Sequence, residues 1–238
     1  PHAPPGHTAQ RSTARRCHCR SRSPHTWWSW CDPLGDWSVH SGSELNSVTS
    51  GQDCLSDHRG SVQTLNALPL ILLGLAWLQE LVDQLLFGGR WNLAMGPGTP
   101  WWTLFTAPFS HAGLGHLVAN SLVFLPLSYL VLARSRMAYL SIWIAVILLE
   151  IPIWLIWPVG AHGLSGVVYG LLGYLVLIGF LERRPLSILL SVVALLLYGS
   201  ALPGLLPWAS PAGVSWIGHA SGFVAGLLAA IMVHRSPD

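Results

Sequence analysis

Gly163-Leu164-Ser165-Gly166-Val167-Val168-Tyr169-Gly170-Leu171-Leu172-Gly173-Tyr174 sets one serine among apolar residues and evenly spaced glycines. The stretch reads as the start of a membrane helix. Gly166, Gly170 and Gly173 recur at intervals of four and three, which places them on one helical face and lets a neighbouring backbone approach closely. Ser165 falls in the first turn, where backbone N–H groups lack helical partners and the helix dipole favours negative charge. A serine there can be a plain helix cap, or it can be a nucleophile whose oxyanion meets prepared donors.

Outward from this stretch, the composition is that of a membrane protein. Of 238 residues, 52% are hydrophobic and 9% charged, against roughly 25% charged in a soluble domain; the mean hydropathy is +0.50. The formal net charge of +2 comes from scattered arginines with no lysine, which argues against nucleic acid as a partner. Six stretches are long and apolar enough to cross a bilayer, at about 65–87, 114–134, 137–157, 163–181, 186–206 and 213–233. Arg134 and Arg136 lie between the second and third, Arg183 and Arg184 between the fourth and fifth, and Arg235 after the sixth, while 158–162 and 207–212 carry no charge. The positive-inside rule then predicts both termini in the cytoplasm, with Arg90 the one cation of these connections on the outer side.

Residues 1–60 differ in kind, being rich in Arg, His, Ser and Pro with no apolar run of spanning length. They are expected to form a poorly ordered tail, separate from a membrane domain at 61–238. Cys17, His18, Cys19, His25 and Cys31 fit no common zinc spacing, so no metal site is assigned. The chain begins at Pro1 and its first methionine is Met95, the pattern of a fragment or of an upstream stretch foreign to the natural protein. The tail has no apolar segment of signal-peptide type. The connection at 88–113 carries Trp91, Trp101, Trp102, Phe105 and Phe109 among Gly and Pro. It is expected either to lie partly embedded in the outer leaflet or to pack on the protein surface.

Spans two, four and six share a direction, so their beginnings align. His116 and Asn120 lie in the first turns of span two, Ser165 in the first turn of span four, and His219 about two turns into span six. At about 1.5 Å per residue all four fall within roughly 10 Å of the outer boundary. Unpaired polar groups are costly in hydrocarbon, so these should face one another or water. They can act as interhelical hydrogen-bond glue. The glycines argue for a more specific arrangement: Gly218, Gly222 and Gly226 repeat every four residues beside His219, matching the glycine face beside Ser165. Two such faces permit a close crossing that puts the Ser165 hydroxyl within reach of His219, with Tyr169 one turn on to stack against the imidazole.

That is a minimal kit for acyl transfer: a serine nucleophile, a histidine base, and donors from His116, Asn120 and the Ser165 backbone N–H. No acidic residue is near either histidine in sequence, which favours a dyad. The chain resembles the rhomboid intramembrane serine proteases through Gly-Leu-Ser-Gly at 163–166, His116-x-x-x-Asn120, His111 five residues before it, Tyr169 four after the serine, and Gly-His-Ala-Ser-Gly at 218–222. The resemblance covers about 88–233, with the first span included by position only.

It implies an all-α membrane protein, a six-transmembrane-helix bundle with a long interfacial first loop and a water-filled cavity open to the outer side. It implies Ser165 as nucleophile, His219 as general base and acid, His116 and Asn120 as oxyanion donors, and Tyr169, Gly163, His111, Gly166 and Gly222 as supporting residues. Family members need no metal or organic cofactor. The implied substrates are single-pass transmembrane proteins with helix-weakening residues near the cut and small side chains before it. The implied setting is a multi-pass protein of a bacterial plasma membrane. One position departs from the pattern: the first loop usually carries Trp-Arg, and here Trp102 is followed by Thr103, which removes a hydrogen-bonding cation from the loop. Two other readings compete. One is a catalytically inactive relative that binds membrane clients, although both Ser165 and His219 are present. The other is a transporter with a proton path through Glu150, Glu80 and the histidines, against which Glu150 beside Pro152 reads as a kinked helix with its carboxylate hydrogen-bonded to a neighbour.

Overall fold

In a computed structural model of the chain, residues 51–158, 160–210 and 214–235 are described, with side chains from 66 onward. The tail expected at 1–60 and its cysteines therefore lie almost wholly outside the described residues. Contacts divide the chain after Arg59, and the helices that position the site belong to the unit from Gly60.

Six helices are long and apolar enough to cross a membrane. They belong to α1 (Gly51–Val82, continued by a π-helical turn Asp83–Phe87), α3 (Leu114–Arg134), α4 (Arg136–Ile156), α5 (Ser165–Glu182), α6 (Pro185–Tyr198, continued by a 3-10 segment Gly199–Leu205) and α7 (Trp216–Arg235). The short α2 (Thr103–Thr106) lies in the first loop. The membrane-spanning parts fall within three residues of the expected boundaries, because an apolar run of the right length is itself the physical requirement. α7 begins at Trp216, later than expected, so His219 stands one turn into its helix rather than two.

The helix carrying Ser165 is the centre of the bundle. The spanning window of α5 is 67% buried, against 17% for α6. Leu171, Leu172, Tyr174, Leu175 and Ile178 are almost wholly buried on it. Its tightest neighbour is α7, and the reason is glycine. A Cβ at Gly222 would collide with the carbonyl of Gly166, one at Gly226 with the carbonyl of Gly170, and one at Gly173 with the carbonyl of Phe223. Backbone meets backbone along this seam, as small residues permit in lipid. Beside this seam, Ile142 and Val146 of α4 come within 3.0 Å of where a Cβ at Gly170 would stand.

The first loop is a built structure that packs on the protein surface, one of the two arrangements expected from the sequence. Trp101, Trp102 and Phe105 are exposed, while Met95, Leu104 and Ala107 pack with Ile153 and Ala161 in a second apolar cluster. Met95 and Ala161 exchange two backbone hydrogen bonds of 3.0 Å, tying the loop to the connection before α5. Thr103, standing where the family's loop usually has arginine, is 3% exposed. Its Oγ1 donates to the Pro100 carbonyl at 2.7 Å and lies 3.0 Å from Thr99 Oγ1. Thr99 in turn donates to the Gly96 carbonyl, and its own carbonyl accepts from Trp154 Nε1 of α4 at 2.9 Å. Short neutral hydrogen bonds hold this loop without the cation.

The seam makes a direct prediction. Gly226→Val places a branched side chain against the Gly170 carbonyl and should lower stability by about 3 kcal/mol, the upper part of the range for overpacking. Gly74→Ala on α1, where a Cβ meets nothing within 4 Å, should be neutral or raise stability by about 0.5 to 1 kcal/mol. Unfolding in detergent micelles measures both, and equal effects would disprove the seam as the tight contact.

Candidate active site

Ser165 is the first residue of α5, and the residue in the cap position is Leu164, with helical backbone angles and no side-chain cap bond. The cap reading of Ser165 is therefore not the geometry adopted. Its Oγ lies 3.0 Å from His219 Nε2. His219 Nδ1 lies 3.0 Å from the carbonyl of Gly204, in the 3-10 segment after α6. A carbonyl can only accept, so the neutral ring carries its proton on Nδ1 and turns the Nε2 lone pair toward the serine. Tyr169 stacks on the imidazole, with ring centroids 4.3 Å apart and planes at 23°. Its hydroxyl donates to the Ala201 carbonyl at 2.6 Å, fixing the phenol against the same 3-10 segment.

Gly163 ends the connection before α5 at φ +104°, a conformation that side chains rarely adopt. A Cβ there would lie 3.1 Å from His116 Cε1 and 3.5 Å from Asn120 Nδ2, so the missing side chain lets both groups approach the backbone just ahead of Ser165. The Asn120 amide is buried, and its Nδ2 has no hydrogen-bond partner among the described residues. His116 Nδ1 accepts from the Ala112 N–H at 3.4 Å, which leaves the proton on the other ring nitrogen.

A cavity of about 410 Å³ brings together Ser165, His219, His116, His162, Gly163 and Glu150. Asn120, Tyr169 and His111 stand behind its wall rather than in it. Three of the groups involved escaped the sequence reading. Gly204 and Ala201 contribute backbone carbonyls, which no side-chain motif announces, although the Pro203-Gly204 break in an otherwise apolar span marked the place. His162 has its ring centroid 6.3 Å from that of His116. Glu150 corrects an expectation: among the described residues its carboxylate has no hydrogen bond to a neighbour, and Oε2 is buried without a partner. Gly166 leaves the space for it, since a Cβ there would lie 2.7 Å from Glu150 Oε1. Despite the three nearby histidines, no group of three or more His, Cys, Asp or Glu among the described residues is arranged to hold a metal ion.

His111 braces the backbone just ahead of Ser165. Its Nε2 accepts from the Leu164 N–H at 3.3 Å, and its Nδ1 lies 3.3 Å from the Phe109 carbonyl. Both bonds require the neutral ring with its proton on Nδ1. Burial, reinforced by His116 and His162, holds its pKa down at about 4, from an ordinary 6.5. Burial likewise lowers His162. A base whose folded pKa is depressed binds more protons when unfolded. Its contribution to stability is therefore complete above about pH 6.5 and lost as pH falls toward 4, on the order of 3 kcal/mol for His111. His111→Gln should be less stable than the parent at pH 7.5, yet lose less on going to pH 5. Parallel pH profiles of the detergent unfolding midpoint for the two proteins would disprove this role.

Comparison with known proteins accords with this geometry. Residues 98–236 match the Rhomboid domain family. An uncharacterized protein of Mycobacterium tuberculosis is 36% identical over 180 residues, covering 69% of this chain and 73% of the relative. One of Mycobacterium leprae is 31% identical over 177 residues, covering 69% of each. A protein of Acanthamoeba polyphaga mimivirus, named provisionally as a rhomboid, is 33% identical over 132 residues, 52% of this chain and 70% of that one. No solved structure matches the chain. With six apolar helices and a family match over more than half its length, the chain is a multi-pass integral membrane protein and belongs to the rhomboid family.

Proposed function

We propose that the protein is an intramembrane serine endopeptidase that cleaves single-pass transmembrane proteins near the outer boundary of the bilayer. The observation that carries this reading is the Ser165 Oγ to His219 Nε2 distance of 3.0 Å, with the other ring nitrogen engaged by the Gly204 carbonyl. A serine hydroxyl is a weak nucleophile until a base takes its proton, and an imidazole held in this tautomer is oriented to take it. Attack on the scissile carbonyl forms a tetrahedral oxyanion and an imidazolium. The imidazolium returns the proton to the leaving amine, which departs and leaves an acyl-serine. Water, deprotonated by His219, then releases the acid and restores the enzyme.

The oxyanion needs donors at the moment it forms. The backbone N–H of Ser165 is free of helical partners by position. His116 lines the cavity with its outer ring nitrogen protonated, and Asn120 Nδ2, paired with nothing else among the described residues, lies close behind Gly163. Buried donors already aimed at the developing charge reorganise little during the reaction. The chemistry needs no cofactor. The arginines flanking α3, α4, α5 and α6 support cytoplasmic termini, and a bacterial plasma membrane is the setting this implies.

The test is labelling of the detergent-solubilised protein with a fluorophosphonate serine probe, beside cleavage of a model transmembrane substrate. Ser165→Ala and His219→Ala should each abolish both while the protein stays folded. Retained cleavage in either variant would sink the dyad. Asn120→Ala should cost about 100-fold in rate, the effect of losing one oxyanion donor; an unchanged rate removes Asn120 from the oxyanion site. A folded parent that neither labels nor cleaves would favour a client-binding protein instead.

A further inference from the structure

Among the described residues, Glu150 is the one carboxylate in the wall of the Ser165 cavity. It comes from the last third of α4, is 5% exposed, and its Oε2 meets no donor among the described residues. Among the described residues, no arginine lines the cavity, and the histidines and serines that do line it make no hydrogen bond to Glu150. Its position relative to the reacting serine is narrowly defined. Oε1 occupies the space that a side chain on Gly166 would need, beside the residue that follows Ser165 in the chain. An acceptor buried this way, next to a nucleophile and open to the same cavity, is matched only when something with a donor enters.

We propose that Glu150 is a specificity-determining residue, the floor of a subsite for the side chain of the substrate residue that contributes the scissile carbonyl, and that it selects hydrogen-bond-donating side chains there. The inference rests on the peptidase reading above. When the scissile carbonyl carbon reaches Ser165 Oγ, the side chain on the adjoining Cα is the substrate group nearest the nucleophile, and therefore nearest the wall that Gly166 and Glu150 share. Lysine and serine both present donors, and lysine adds a charge for the carboxylate. Leucine at the same place desolvates Glu150 and gives nothing in return. A site built around a buried hydrogen-bonding group rejects a substrate lacking the complement far more strongly than an apolar pocket rejects one methylene. This selects among side chains on chemistry as well as size, beyond the preference for small residues that the family resemblance implies.

The experiment uses the full chain in liposomes with one single-pass substrate made in four versions, carrying Lys, Ser, Ala or Leu before the cut, the cut site being fixed by mass spectrometry. The parent should favour Lys and Ser over Leu by about 10-fold or more in kcat/KM. Glu150→Gln should keep Ser and lose the advantage of Lys; Glu150→Met should invert the order in favour of Ala and Leu. Fluorophosphonate labelling of Ser165 should persist in both variants, which separates specificity from folding. An identical ranking in all three proteins overturns the proposal. So does loss of labelling in both variants while the parent labels, since Glu150 would then act in folding alone. A parent that neither labels nor cleaves fails at the peptidase reading itself, a result distinct from unchanged preference in an active enzyme.

Discussion

The contact on which the rest depends is the backbone-to-backbone seam between α5 and α7. Gly222 rests on the carbonyl of Gly166 and Gly226 on that of Gly170. Lipid tails are as apolar as leucine, so no hydrophobic force drives two helices together inside a bilayer; close packing must do it. Every side chain inserted at the seam would push the helix axes apart. Ser165 and His219 sit at the N-terminal end of this contact, one on each helix, and their 3.0 Å separation inherits its accuracy from the glycines that follow them. The same absence of side chains serves twice more. Gly166 leaves room for Glu150, and Gly163 lets His116 and Asn120 approach the backbone before the serine.

The imidazole is oriented without a carboxylate. A carboxylate partner would stabilise an imidazolium by charge, but in a low-dielectric bundle it would also have to be desolvated. The Gly204 carbonyl is already part of the backbone and fixes the tautomer, while Tyr169 restrains the ring plane. The 3-10 segment of α6 thus holds both members of the stacked pair, accepting from His219 at Gly204 and from Tyr169 at Ala201.

The fold was legible because membrane thickness translates directly into run length, and six runs of that length were present. The pairing of α5 with α7 was legible too, since glycines every three or four residues on two helices of the same direction have a single physical use in common. What side chains do not encode stayed hidden. Gly204 and Ala201 act through carbonyls that every residue type has. The late start of α7 depended on where a loop chose to end, and a hydropathy window cannot resolve that. Thr103 looked like the loss of a tether, because the sequence does not reveal that Thr99, Pro100 and Gly96 fold around it. Glu150 looked like a paired carboxylate because burial without a partner is the costlier state, and local sequence favours the cheaper one.

That cost explains where the stability of this bundle resides. A buried polar atom without a partner costs about 1 to 3 kcal/mol. Among the described residues, Asn120 Nδ2 and Glu150 Oε2 are such atoms at the site, Glu80 Oε2 and Gln79 Oε1 are such atoms on α1, and the Tyr139 and Tyr174 hydroxyls are such atoms away from the site on α4 and α5. Packing must offset them, and it runs along α5 from the turns next to Ser165 onward: Gly166 to Leu175 are all buried, as are Ile178 and Gly179. Filling those partners by mutation would be expected to stabilise the bundle and to blunt whatever the cavity binds. A partner supplied to Tyr174, which is on α5 but does not line the cavity, should do only the first of these.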